Sequence, residues 1–244
     1  AGNSYLKLGK AETDTSHIKE YYRLSYEYLT DELTKHLKDQ IITGAVLSNV
    51  NNIVVSHTIS DVLHSLWHME PHQLIAEQGE YGLTTRYENP RMLGSDRWAA
   101  LIAAKHEFQG NVCIIDCGSA ITVDVLTDKG LHLGGLISPG LSMSRQSLGL
   151  STSRLPVVDQ ESNPGSSFFG INTRDAILGG TLYQTSAYIE RIVTEIKTEF
   201  DNNIECIITG GDAALIQSLS LHQFHPRETL VLEGLRIVAQ DLYN

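Results

Sequence analysis

The 244-residue sequence predicts an α/β fold made of two related halves. Three observations point there. Short apolar or β-branched runs alternate with amphipathic stretches along the whole chain, the pattern of strands and helices packed in layers. Residues 112–124 form an apolar run interrupted by Asp116-Cys117-Gly118-Ser119, which reads as strand, tight glycine turn, strand. A partial copy, Gly2-Asn3-Ser4 running on to Lys7, opens the chain, so each half reads β-β-β-α-β-α once a strand is placed ahead of Ala1. A carboxylate, glycine backbone and a hydroxyl at one turn suit a phosphate and its counter-ion. Two such turns suggest two lobes with a nucleotide between them.

The elements follow in order. Tyr22, Leu24, Tyr26 and Tyr28 recur with a period of two and predict a half-buried strand over 21–28. A helix follows over 30–38. The apolar run 41–47 suits a buried parallel strand ending in polar Ser48-Asn49. Ile59, Val62, Leu63 and Leu66 lie on one side of a helix over 56–68, and 72–76 is a short strand. Residues 77–93, with Gly79, Gly82 and Pro90, form a long irregular loop of the kind that carries function. Ser95 or Asp96 then caps a helix bearing Trp98, Leu101 and Ile102. In the second half, strands fit 112–116, 121–126 and 131–137, and a helix fits 141–148. A loop covers 151–170, and Asn172 or Thr173 caps a long helix toward Phe200. A strand over 204–208, a turn at 209–212, a helix over 213–219 and an amphipathic helix over 230–242 complete the chain.

Composition narrows the function. With 18 Lys+Arg against 29 Asp+Glu, the net charge of −11 leaves no basic stripe, so nucleic acid is not an expected partner. No apolar run approaches the ~20 residues that span a bilayer, so a soluble, cytoplasmic protein with no membrane partner is expected. Three cysteines, Cys113, Cys117 and Cys206, without paired spacing suit small core residues in a reducing compartment. His64, His68 and His72 have no secure further ligand and read as a solvated face. Neither a P-loop nor a Gly-x-Gly-x-x-Gly motif occurs.

Several segments carry possible chemistry. Gly94-Ser95-Asp96-Arg97 places an acid and a cation at a helix start after a flexible loop. Asp96 is either a cap or a base beside an anion-holding arginine, as phosphoryl transfer to a hydroxyl requires. Gly134-Gly135 with Pro139-Gly140, and Thr209-Gly210-Gly211-Asp212, put glycines where strand meets helix. Turn chemistry and close backbone approach to a ligand both explain them.

Taken together, these segments resemble the type III pantothenate kinase family of the acetate and sugar kinase, heat-shock chaperone and actin superfamily. The carriers are Gly2-Asn3-Ser4-x-x-Lys7, Tyr87 with Gly94-x-Asp96-Arg97-Trp98, and Asp116-x-Gly118-Ser119-Ala120. Gly134-Gly135, Pro139-Gly140, Leu155-Pro156, Asn172-Thr173-x-Asp175-Ala176 and Thr209-Gly210-Gly211 add to them. The resemblance implies two ribonuclease-H-like lobes, residues 1–108 and 109–244, with mixed sheets flanked by helices and ATP in the interlobe cleft. It implies ATP- and magnesium-dependent phosphorylation of pantothenate on its primary hydroxyl, the first step toward coenzyme A. By the family pattern Asp96 accepts the proton, Gly94, Ser95, Asp96 and Arg97 line the pantothenate site, and Tyr87 touches it. Thr173 would complete that site across a homodimer interface. Asp116 matches a ligand for potassium or ammonium, Ser119 an ATP contact, and Gly2, Asn3, Ser4 and Lys7 the first phosphate turn.

The family pattern also has an Asp two residues before the first turn's Gly, at the end of an apolar strand. The natural product is accordingly expected to begin several residues ahead of Ala1. Ser4, Ser119 and Ile121 stand where Thr, Thr and often Thr or Leu occur, and the serines keep the hydroxyl. Two alternatives remain at this level: a catalytically weak regulatory relative resembling transcription activators, and a sibling kinase for another small hydroxylated substrate.

Overall fold

The computed structural model describes residues 1–12, 17–158 and 169–243. These form two compact units. The first takes described residues from Ala1–Gln109, Lys129–His132 and Thr229–Asn244, and the second those from Gly110–Asp128 and Leu133–Glu228.

In the first unit, β1 (Leu6–Lys10) pairs antiparallel with β2 (Glu20–Leu24), from Leu6↔Leu24 to Lys10↔Glu20. The strand expected to reach residue 28 stops at Leu24, and α1 (Leu29–Leu37) buries Leu29, Leu33 and Leu37 along one face. β3 (Val46–Leu47) ends just before α2 (Ile53–Trp67), whose start is capped by Asn52 accepting the Val55 N–H at 3.1 Å. β4 (His72–Gln73) pairs parallel with β3. The strand expected over 41–47 therefore shrinks to two residues. Its partner offers only two, and Ile41 is left 98% exposed. Strand β5 (Thr84–Thr85) lies inside the stretch read as irregular, and α3 (Ser95–Glu107) follows it.

The second unit holds β6 (Val112–Cys117), β7 (Ala120–Leu126), β8 (Leu131–Pro139), α4 (Leu141–Ser151), α5 (Thr173–Glu199), β9 (Glu205–Thr209), α6 (Ala213–Gln217) and β10 (His225–Pro226). The strands run in the order β10-β9-β6-β7-β8. β6 pairs antiparallel with β7 across the hairpin and parallel with β9, so it is central and its Val112–Ile115 stretch is fully buried. Ile115, Ile121, Leu182, Ile189, Val193 and Ile208 belong to one core between this sheet and its helices. Of the loop expected over 151–170, residues 159–168 lie outside the described residues.

One boundary differs from the expected lobes. The sequence puts everything after residue 108 in the second lobe, yet α7 (Leu230–Tyr243) belongs to the first unit. The reason is α3, which is buried on all sides from Arg97 to Ala104 and needs cover that a single sheet face does not give. α7 packs along it, with Leu230, Leu232, Gly234 and Val238 among its buried residues. Gly234 sits so close that a Cβ there would stand 1.9 Å from the Ala99 carbonyl oxygen. β1, α1, α2, β3 and α7 also surround a cavity of about 270 Å³ lined by Leu8, Leu33, Leu47, Ile59 and Leu232.

Candidate active site

Asp96 sits in the first turn of α3 and is half-buried. The helix begins at Gly94, so neither Ser95 nor Asp96 caps it as expected; both are inside the first turn. The Asp96 carboxylate folds back instead, and its Oδ1 accepts the Arg97 N–H at 2.7 Å. Gly94 is required for that pose, because a Cβ there would come within 2.7 Å of the same Oδ1. Burial pushes the Asp96 carboxyl above its ordinary range, opposed by the Arg97 N–H and guanidinium. A half-buried carboxylate with a raised pKa is suited to accept a proton.

Arg97 is buried beside it and donates from Nη1 to the Tyr87 hydroxyl at 2.8 Å, with its guanidinium 5.6 Å from the Tyr87 ring. The Ser95 hydroxyl lies 2.8 Å from that of Ser48, at the end of β3. Gly94, Ser95, Asp96, Arg97 and Tyr87 are thus brought together. The same strand end reaches the first turn: the Ala1 amino group donates to the Ser48 carbonyl, and the Val50 N–H donates to the Ala1 carbonyl at 3.0 Å. Gly2 N–H donates to the Tyr5 carbonyl at 3.2 Å, closing the turn expected to hold phosphate. Its carbonyls are tied down by Asn51, whose Nδ2 donates to Gly2 O at 2.9 Å, and by the Tyr26 hydroxyl. Asn3 and Ser4 are exposed, and so is Lys7 on β1. Of the expected site residues only Lys7 borders the 270 Å³ cavity.

Sequence reading missed the support behind Tyr87. Thr85 Oγ1 accepts the Tyr87 N–H at 3.2 Å and lies 2.8 Å from Nδ1 of His132, which is wholly buried. Gln78 brackets Thr85, donating to its carbonyl at 2.8 Å and accepting its N–H at 2.9 Å. No motif marks these residues, since a two-residue parallel strand leaves no local pattern.

In the second unit the β6–β7 turn is built from backbone. Gly118 N–H donates to Ala120 O at 3.1 Å, and Gly140 N–H to Ser119 O at 3.1 Å. Asp116 pairs with Thr209 across β6–β9, which brings the second glycine turn alongside. Gly210 has φ +99°, and a Cβ there would lie 2.4 Å from the Cys117 backbone and 2.5 Å from Asp116 Oδ1. The Asp212 N–H donates to Cys117 O at 3.0 Å. Asp116, Gly118, Ser119, Gly210 and Asp212 therefore converge on one turn. Burial, then the Asp116 and Asp212 carboxylates, push the Cys117 thiol up. The donors at this turn are oxygens, the chemistry that suits alkali and magnesium-type cations.

The other residues singled out in the sequence lie elsewhere. All three cysteines are buried and free. Among the described residues no group of three or more His, Cys, Asp or Glu gathers as a metal centre, and His64 and His68 simply meet edge to face at 5.4 Å. Asn172 caps α5, accepting the Asp175 N–H at 2.9 Å, and Thr173 is exposed at its first turn. No described helix is long and apolar enough to cross a membrane.

The sequence model of the type III pantothenate kinase family matches residues 1–195. The type III pantothenate kinase of Nitrosococcus oceani is 35% identical over 205 residues, 82% of this chain and 76% of that protein. That of Burkholderia mallei is 30% identical over 260 residues, 98% of this chain and 96% of that protein. Among solved structures, a protein assigned to the Baf family of transcriptional activators from Campylobacter jejuni aligns with a TM-score of 0.55 at 21% identity, over 91% of each chain. One assigned as an N-acetylmannosamine kinase from Listeria monocytogenes aligns with a TM-score of 0.51 at 13% identity, over 100% of this chain and 98% of that one. These two likenesses concern the fold alone, a mixed sheet flanked by helices.

Proposed function

This chain belongs to the type III pantothenate kinase family, and on that footing we propose how its residues divide the reaction. The chain is a kinase that transfers a phosphoryl group from ATP to pantothenate, giving 4'-phosphopantothenate at the start of coenzyme A biosynthesis. The observation that carries the residue assignment is the half-buried Asp96 carboxylate, held beside an Arg97 that is itself tied to Tyr87.

Asp96 orients the primary hydroxyl of pantothenate and takes its proton as the oxygen attacks the γ-phosphorus. Phosphoryl transfer asks the protein mainly for position and charge compensation. Gly94 and Ser95 line the acceptor pocket, Arg97 faces the pantothenate carboxylate or the transferring charge, and Tyr87 contacts the substrate while fixing Arg97. Gly2, Asn3, Ser4 and Lys7 are assigned to ATP phosphate binding, and Ser119 is assigned to ATP as well.

ATP is used with a divalent metal, which we assign as magnesium, and Asp116 we assign to potassium or ammonium. The turn fits such ions: its donors are carboxylate and backbone oxygens, and glycines at 118 and 210 leave Asp116 Oδ1 uncovered by a Cβ. When bound, these cations offset phosphate charge in a protein whose own net charge is −11.

A homodimer in the cytoplasm completes the reading. Thr173 of one protomer reaches pantothenate bound to its partner. Exposed apolar side chains close to it in sequence, Phe169 and Ile171, together with Leu150 on α4, support a covered face. The test is to incubate the chain with ATP, magnesium and pantothenate in potassium and in sodium buffer. The reading predicts 4'-phosphopantothenate, formed faster in potassium, by a species of twice the chain mass. An absence of product, or phosphorylation of a different acceptor, contradicts it.

A further inference from the structure

We infer that His132 is a positioning residue for the acceptor pocket, holding the 85–87 segment so that Tyr87 keeps Arg97 beside Asp96. This rests on the reading of that pocket given above. His132 lies at the start of β8, in the part of that strand belonging to the first unit, and has no exposed surface. It meets the segment three times. Its carbonyl accepts the Arg86 N–H at 3.0 Å, its Nδ1 is 2.8 Å from Thr85 Oγ1, and its ring centroid is 5.7 Å from that of Tyr87. The same Thr85 Oγ1 accepts the Tyr87 N–H at 3.2 Å. Both the backbone and the ring of Tyr87 are therefore referenced to one imidazole. The Tyr87 hydroxyl then accepts from Arg97 Nη1 at 2.8 Å, next to the Arg97 N–H that holds Asp96.

The chemistry explains why a histidine sits there. β5 pairs with β8 over only Thr84↔Leu131 and Thr85↔His132, too short a ladder to fix the residues that follow it. A fully buried imidazole is costly unless it is hydrogen-bonded, and a leucine would fill the same space without that demand. Gln78 holds the Thr85 backbone independently. Removing the imidazole therefore loosens the Thr85 hydroxyl and the Tyr87 ring while that backbone grip stays in place.

The experiment compares His132→Leu, which fills space without the bond, with His132→Asn, whose side-chain amide reaches the Nδ1 position. The Leu variant is expected to raise the KM for pantothenate about five- to tenfold, the worth of a neutral hydrogen bond or slightly more, while leaving the KM for ATP unchanged. The Asn variant recovers most of that loss. Crystal structures without substrate are expected to show the Tyr87 hydroxyl and Arg97 Nη1 more than about 3.5 Å apart in the Leu variant and still bonded in the Asn variant. If the Leu variant does not fold, Thr85→Val against Thr85→Ser reads the same bond. A Leu variant that keeps both the Tyr87–Arg97 bond and the KM overturns the inference, as do Leu and Asn variants that lose activity equally toward both substrates. The structural readout needs no acceptor. A wild-type chain inactive on pantothenate would remove the functional reading and leave this one to be judged on the Tyr87–Arg97 bond.

Discussion

The two candidate centres are built in opposite ways. Around Asp96 the site is made of side chains: a carboxylate, a guanidinium, a phenol, a hydroxyl and an imidazole, joined one to the next and mostly buried. Around Asp116 it is made of backbone, with glycines at 118, 140 and 210 packed against neighbouring carbonyls and one carboxylate set among them. The contrast matches the two tasks. An acceptor alcohol must be oriented and deprotonated, which needs groups of tuned pKa. A polyphosphate and its cations need close approach to N–H and C=O groups, which needs room. Substitutions should therefore act differently in the two places: through chemistry at the first, through space at the second.

The largest effect is expected at Asp96. Asp96→Asn keeps the oxygen that accepts the Arg97 N–H and removes the base, so kcat should fall by about 10² to 10⁴. Stability should move the other way. The folded protein holds the Asp96 proton more tightly than the unfolded chain does, so this carboxyl favours folding at low pH, and that contribution is lost as pH rises through its raised pKa. At neutral pH the charge is buried at a cost that asparagine does not carry. Thermal unfolding near pH 7.5 should place the Asn variant at or above wild type, and a marked fall would show that Asp96 serves the fold.

The next effects belong to the backbone-built turn. Gly210→Ala puts a Cβ against the Cys117 backbone and Asp116 Oδ1 at a positive φ. A destabilisation of about 1–3 kcal/mol is expected in denaturant titrations, with a raised KM for ATP and an unchanged KM for pantothenate. Equal changes in both would erase the contrast between the two centres. Asp116→Asn removes charge without adding bulk, and should cut the potassium-dependent part of the rate about tenfold while sparing the sodium rate. The smallest change is Ser119→Ala, which loses one hydroxyl contact at most; a KM for ATP raised about threefold or less is expected.

Much of this was legible in the sequence where structure is local. The amphipathic runs of α1, α2 and α7 and the hairpin of β6 and β7 each repeat a period that needs no distant partner. Asn172 and Thr173 both read as caps of the long helix, and Asn172 takes the place by accepting the Asp175 N–H three residues on. Expectations failed where distant residues decide. The apolar run 41–47 reads as a full strand, but β4 pairs with only its last two residues. Asp96 reads as a cap until Gly94 takes the helix start. α7 joins the first unit because of what α3 requires, and α3 lies far away in sequence. At the site, Asp96, Arg97 and Tyr87 stood out as motif residues. Thr85, Gln78, His132, Asn51 and Tyr26 did not, since they act through contacts across the fold and belong to no short pattern.

The central claim is that the Asp96 carboxylate takes the proton of the acceptor alcohol. The pH dependence of kcat/KM for pantothenate tests it most directly, measured on wild type and on Asp96→Asn. Activity needs the ionised carboxylate, so the wild-type rate should fall as pH drops through a pKa above the ordinary aspartate range, as burial of this group dictates. That limb should vanish from the residual rate of the Asn variant. An acid limb that persists unchanged in the variant, or one that sits at the value of an exposed aspartate, would contradict the account.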